Sequence, residues 1–163
     1  MRYDRCMIGA LRGTIIRKGA GFVILEAGDV GYKVYVTAET YQTLQENREA
    51  SLQTHLSVRE DSLTLFGFTR GEELRLFEML LSVSGIGPKS ALAILSLTEA
   101  NTLAKAIAGG ESSYLTKVSG IGRKNAEKIV LELRDKMGTF GEDAGSSNFS
   151  EDAEVLEAVE TLG

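Results

Sequence analysis

LLSVSGIGPKSALAIL (Leu80–Leu95) and LTKVSGIGRKNAEKIV (Leu115–Val130) are two copies of one pattern, 35 residues apart. In each, an apolar lead runs into the turn Val-Ser-Gly-Ile-Gly, at Val83–Gly87 and Val118–Gly122, and a second helical pattern follows at once. Glycines at alternate positions permit unusual dihedrals and close backbone approach. Such a turn between two helices aims backbone N–H groups at one point. The helix that begins there adds its own unpaired amides and the positive end of its dipole. The product is an anion site that needs no particular side chain. Lys89 and Lys124 sit at matching places in the following helices, within reach of a bound phosphate, and Arg123 adds a second cation to the later copy. One copy reads as no more than a tight connection. Two copies with matching flanks suit the two backbones of a duplex, gripped across a minor groove. Contacts of that kind carry no base code, so recognition is expected to be by shape.

Helical spacing extends on both sides of the repeat. Leu74, Phe77, Leu80 and Leu81 follow an acidic first turn at Glu72 and Glu73. Further helices are expected at about Pro88–Leu97, Glu99–Ala108, Ser113–Lys117 and Arg123–Met137. Pro88 suits a first helical position, and Gly109 and Gly138 suit C-terminal caps. The last of these helices carries Ala126, Ile129, Val130, Leu133 and Met137 on one stripe.

Before Phe68 the period is different. Leu52, Thr54, Leu56 and Val58 alternate with polar residues, the pattern of a half-buried strand, and Tyr32, Val34 and Val36 alternate less cleanly. Gly19, Gly21, Gly28 and Gly31 mark expected hairpin turns with positive φ, and Ala38–Leu44 a short helix. Five or six short strands point to a small barrel of the OB type. The expected organisation is therefore a β-barrel over 1–68 and an all-helical tandem-hairpin domain over 69–137. A Gly/Ser-rich acidic linker follows over 138–150, and 151–163 starts an amphipathic helix through Val155, Leu156, Val159 and Leu162. A lone helix of that length is marginal in water, so 151–163 is read as the start of a truncated third domain.

The net charge of −5 is unevenly spread: seven acids and no Lys or Arg lie from Gly138 onward, leaving 18 basic against 16 acidic residues over Met1–Met137. A polyanionic partner for the body is permitted. Apolar runs such as Ala91–Leu95 are too short to cross a bilayer, and no secretory signal precedes Met7. The single Cys6 cannot pair within the chain, which favours a reducing, cytoplasmic compartment. One His and one Cys leave no zinc site of the usual kind, and no cofactor is expected.

The ordered set MIGALRGTI (Met7–Ile15), VREDSLTLFGF (Val58–Phe68) and the two glycine turns, the second continuing as VSGIGRKNAEKIVLELRDKM to Met137, resembles the RuvA family of Holliday-junction-binding proteins. The turns themselves resemble tandem helix-hairpin-helix motifs of DNA repair proteins. The resemblance implies an OB-fold barrel, a tandem hairpin domain and a small C-terminal helical domain. It implies a homotetramer, or two facing tetramers, holding a four-way DNA junction open and square, in company with a RuvB-type ATPase motor and a RuvC-type resolvase. By the same resemblance, Gly85, Ile86, Gly87 and Gly120, Ile121, Gly122 would hold phosphates through backbone amides. Lys89, Arg123 and Lys124 would supply charge, with Ser90, Asn125 and Lys128 as weaker candidates. Glu60-Asp61, which on composition alone read as an ordinary acidic turn, would be an acidic pin at the centre of the tetramer. Four copies would gather eight carboxylates where the strands part. None of these residues is expected to be catalytic. No P-loop pattern is present, so ATP hydrolysis would belong to the partner, and with only Glu151–Gly163 of the third domain, contact with that motor is doubtful.

Two other readings compete. A hairpin-containing glycosylase would use Lys124 and Asp135 on a flipped base, but the only aromatic between Phe77 and Phe140 is Tyr114. A single-strand binder on the barrel would need exposed stacking platforms, for which only Tyr35 qualifies. His55, on the polar side of its strand, and the extension Met1–Cys6 are assigned no role.

Overall fold

The structure is a computed structural model that describes Met7–Gly138 and Phe140. The expected linker beyond Gly138, the amphipathic helix over 151–163 and the extension ending at Cys6 lie outside the described residues.

The alternating segments form five strands: β1 (Ala10–Gly19), β2 (Phe22–Ala27), β3 (Val30–Val36), β4 (Glu49–Val58) and β5 (Leu63–Phe68), with α1 (Ala38–Thr43) between β3 and β4. They close in the order β1-β2-β3-β5-β4, through antiparallel pairs except for the parallel pair β3/β5. That is an OB-fold barrel. Every strand of a closed barrel has two neighbours, and a long strand can divide its length between them. β1 does so, pairing β2 through its second half and β4 through its first, with a bulge between Ile15 and Arg17. Inward residues Ile15, Val23, Leu25, Val34 and Leu52 are fully buried. Two glycines are set by close approach: a Cβ on Gly13 would lie 1.9 Å from the Glu26 carbonyl oxygen, and one on Gly67 would lie 2.5 Å from Val34 Cγ1.

Of the four expected turn glycines, Gly21 (φ +76°) and Gly28 (φ +57°) take the left-handed conformation, the latter beside Asp29 (φ +64°) in the β2–β3 hairpin. Gly19 does not: it ends β1, and a Cβ there would strike the Phe22 ring. Gly31 lies inside β3.

The helical segment comprises α2 (Gly71–Leu81), α3 (Pro88–Leu95), α4 (Ala100–Ala108), α5 (Ser112–Leu115) and α6 (Arg123–Met137). The bounds of α6 match the expectation, while α3 stops two residues sooner. Gly109 caps α4 in an ordinary helical conformation; the left-handed residue is Gly110 (φ +83°), which lets the Glu111 amide reach back to the Ala106 carbonyl.

Barrel and helices each have an apolar core, and β5 contributes to both. Phe66 and Phe68 of β5 belong to the helical core and not to the barrel core. Phe77 of α2 lies between them, with ring centroids 5.2 and 5.0 Å away, and the His55 imidazole meets it edge-on at 5.4 Å. Polar ties reinforce the join: Arg70 pairs with Glu39 at 2.9 Å, and the Ala38 amide donates to Ser96 Oγ at 3.2 Å. His55, given no role on sequence grounds, therefore packs across this join and reaches Glu78 at 3.3 Å.

At the join lies one buried acid. Glu73, at the third position of α2, accepts from the Arg70 amide at 3.1 Å and from Thr69 Oγ1 at 3.3 Å. Burial raises its pKa above the ordinary 4.5, against the opposing pull of the Arg70 amide and guanidinium.

Candidate nucleic-acid interface

The two copies of the repeat fold alike, atom for atom in their turn bonds. Gly85 and Gly120 take φ of +93° and +89°, which is why glycine stands there. The Ile86 amide donates to the Val83 carbonyl at 3.1 Å and the Ile121 amide to Val118 at 3.0 Å. Ala91 and Ala126 then donate to Gly87 and Gly122, closing the first turns of α3 and α6. Leu80, Val83, Ile86, Ala91 and Ile94 are buried, and so are Leu115, Val118, Ile121, Ala126 and Ile129. The repeat thus divides cleanly: its apolar letters build the core, and its glycines and cations are what remain outside.

Ile86 and Ile121, expected among the phosphate-holding residues, fall on the buried side of that division. Their side chains are buried and their amides already bonded within the turn, so neither has a free group for a phosphate. The unpaired donors include those a helix start must leave open, Gly87, Lys89 and Ser90 in the first copy and Gly122, Arg123, Lys124 and Asn125 in the second, together with the turn amides of Gly85 and Gly120. Pro88 costs the first copy one donor.

The turns lie against each other. Lys128 Nζ donates to the Ser84 carbonyl at 3.0 Å, and a Cβ on Gly85 would lie 3.8 Å from Asn125 Oδ1. Lys128, expected as a weak DNA contact, therefore ties the second hairpin to the first. Arg123 is exposed but pairs with Glu127 at 2.9 Å. Lys89 and Lys124 are exposed and make no ion pair among the described residues, which leaves them the freest cations of the predicted set.

Glu60 and Asp61 form the exposed tip of the β4–β5 hairpin, closed beneath by the Arg59 amide donating to the Ser62 carbonyl at 2.9 Å. Below the tip the cross-strand partners Val58 and Leu63 are 67% and 71% exposed, well beyond what a finished barrel end requires.

Sequence reasoning missed Arg59. Its guanidinium lies 4.0 Å from where a Cβ on Gly87 would stand, so a cation adjoining the acidic tip also adjoins the first hairpin. The only sequence signal was its place beside Glu60. Also unforeseen is a cleft of about 890 Å³ between the barrel and α3, lined by Tyr35, Tyr41, Phe66, Arg59, Lys89 and Ala93 among others. Aromatic residues are therefore close to the first hairpin, supplied by the barrel and invisible in the helical sequence.

No single helix among the described residues is long and apolar enough to cross a membrane, and no metal-binding cluster occurs among them.

Residues 7–67 match the family described as RuvA N terminal domain, and residues 77–135 match that described as SAM-like helix-hairpin-helix tandem. The chain is 46% identical over 160 residues to the Holliday junction branch migration complex subunit RuvA of Mycobacterium ulcerans, covering 96% of this chain and 81% of the relative. It is 46% identical over 141 residues to the protein of the same name in Mycolicibacterium smegmatis, covering 86% of this chain and 72% of the relative. With that of Mycobacterium tuberculosis, identity is 43% over 159 residues, covering 96% and 81%.

Proposed function

This chain belongs to the RuvA family, and from that premise we propose that it is a non-catalytic subunit that binds four-way DNA junctions by shape and holds them open for branch migration in recombination and repair. The observation that carries the reading is the pair of abutting hairpins, each offering unpaired first-turn amides beside one free lysine, Lys89 or Lys124. Two such grips side by side suit two phosphate backbones, and neither reads a base.

The acting form is a homotetramer, one or two to a junction. A four-way junction has four similar arms, and a closed ring of four copies gives each an equivalent grip. The exposed Val58/Leu63 pair below each acidic tip supports convergence of the tips, since it is apolar surface that another copy would cover. Glu60 and Asp61 at the ring centre repel phosphate and keep the strands apart. Gly85, Gly87, Lys89, Ser90, Gly120, Gly122, Arg123, Lys124 and Asn125 hold the backbones, with Arg59 added to them. A RuvB-type ATPase drives the movement and a RuvC-type resolvase cuts; neither activity is ascribed to this chain.

The test is a gel-shift titration against a synthetic four-way junction, with linear duplex of the same sequence as competitor at fixed salt. Strong preference for the junction is expected. Equal binding to both would leave a tandem-hairpin duplex binder and remove the basis for tetramer and pin.

A further inference from the structure

We infer that the cleft between the barrel and α3 receives a single unpaired nucleotide, its base against the aromatic floor and its phosphate at the Arg59/Lys89 rim. The inference rests on the junction-binding reading above and names what that reading leaves open: where a base goes once the acidic tip has parted it from its partner.

The cleft's volume of about 890 Å³ is that of an organic-ligand site. Tyr35 forms the floor, backed by the buried Phe66 at a ring-centroid distance of 6.0 Å, and Tyr41 lines the same space from α1. Flat rings stack on any base, so such a floor serves every sequence that passes a moving junction. The charged residues of the lining are Arg59 and Lys89, both basic, and no carboxylate lines it. That favours an aromatic anion over an apolar peptide. Ser57 and Thr64, cross-strand partners in the lining, add hydroxyls able to donate to or accept from a base edge.

Arg59 and Ser62 flank Glu60 and Asp61 at the tip, Gly87 and Ser90 belong to the first hairpin, and all four line the cleft. A strand held at the first hairpin and parted from its partner at the tip therefore has its freed base beside this opening.

The experiment uses the full chain and a four-way junction carrying 5-iodo-2′-deoxyuridine beside the crossover. After ultraviolet irradiation, cross-linked peptides are located by mass spectrometry. Cross-linking to Tyr35 or Tyr41 is expected, and none from the same base placed mid-arm. Ala93→Trp fills the cleft from the exposed side of α3 without touching a proposed phosphate contact. It should cut the cross-link at least fivefold while junction affinity in gel shift stays within about twofold. Junction binding that is intact, with cross-links only elsewhere or none, overturns the inference. Loss of junction preference in the gel shift itself overturns the functional reading instead. In that case a short iodouridine oligonucleotide still tests the cleft, and failure to label either tyrosine refutes it.

Discussion

At Gly120 the backbone holds φ +89° with no heavy atom within 4 Å of a prospective Cβ. The cost of a side chain there is conformational and not steric. Gly120→Ala should destabilise by about 1–2 kcal/mol, read as a lower melting temperature, and should weaken junction binding as the turn shifts its amides. Gly13 is the contrasting case. Its φ is ordinary, but a Cβ would sit 1.9 Å from a backbone oxygen, which cannot swing aside as a side-chain tip would. Gly13→Ala should therefore disturb the β1/β2 pairing and leave the hairpins' chemistry untouched. For the cations, freedom decides. Lys124→Ala and Lys89→Ala should each weaken junction binding and lower the salt dependence of log K by about one per bound chain, in titrations across salt concentrations. Arg123→Ala should cost less, because its guanidinium already has Glu127. Lys128→Ala should act by loosening the two hairpins, since its ammonium is bonded to Ser84.

The join between barrel and helices is decided at the scale of elements, by α2 against β5. Phe77→Ala would empty the space between Phe66, Phe68 and His55, at a cost of about 3–5 kcal/mol. The buried Glu73 beside that join makes its own pH-dependent contribution. Its folded-state pKa is raised, so the protonated form is the one the fold favours. Its contribution is fully present below the unfolded value near 4.5 and is lost as pH rises through the folded value. Glu73→Gln keeps an oxygen to accept from the Arg70 amide and removes the buried charge. The melting temperature of the variant relative to the parent should therefore rise as pH increases above about 4.5. A difference independent of pH would mean that Glu73 is not held as described. This join also marks where sequence reasoning stops. The turns at Gly21, Gly28, Gly85 and Gly120, the bounds of α6 and the strand alternation were legible because each depends on residues a few places apart. Phe66 and Phe68 read as barrel residues because their strand does; that they face Phe77 instead depends on how α2 folds back. The cleft was hidden for the same reason, as were the bonded amides of Ile86 and Ile121, which a motif of letters cannot display.

For the whole molecule, the acidic tip is the feature whose sign runs against its surroundings. Every other exposed charge argued for DNA contact is basic, and a carboxylate 4 Å from a phosphate is opposed by about 1 kcal/mol in bulk water and about 4 kcal/mol near a protein surface. In the proposed ring of four, the tips would meet at the one place where a junction has an opening and a continuous duplex has none. Repulsion there penalises duplex laid across the centre more than junction arranged around it. Replacing Glu60 with Gln and Asp61 with Asn in one chain should therefore tighten binding to both, and to duplex more. The ratio of junction to duplex affinity, measured by competition at fixed salt, should fall. The Ser62 hydroxyl that donates to Asp61 at 3.1 Å can donate equally to an amide oxygen, so the tip's shape is kept and the change read is one of charge. A ratio that rises would place the two carboxylates away from the DNA centre. The exposed Val58/Leu63 pair would then need another explanation than neighbouring tips.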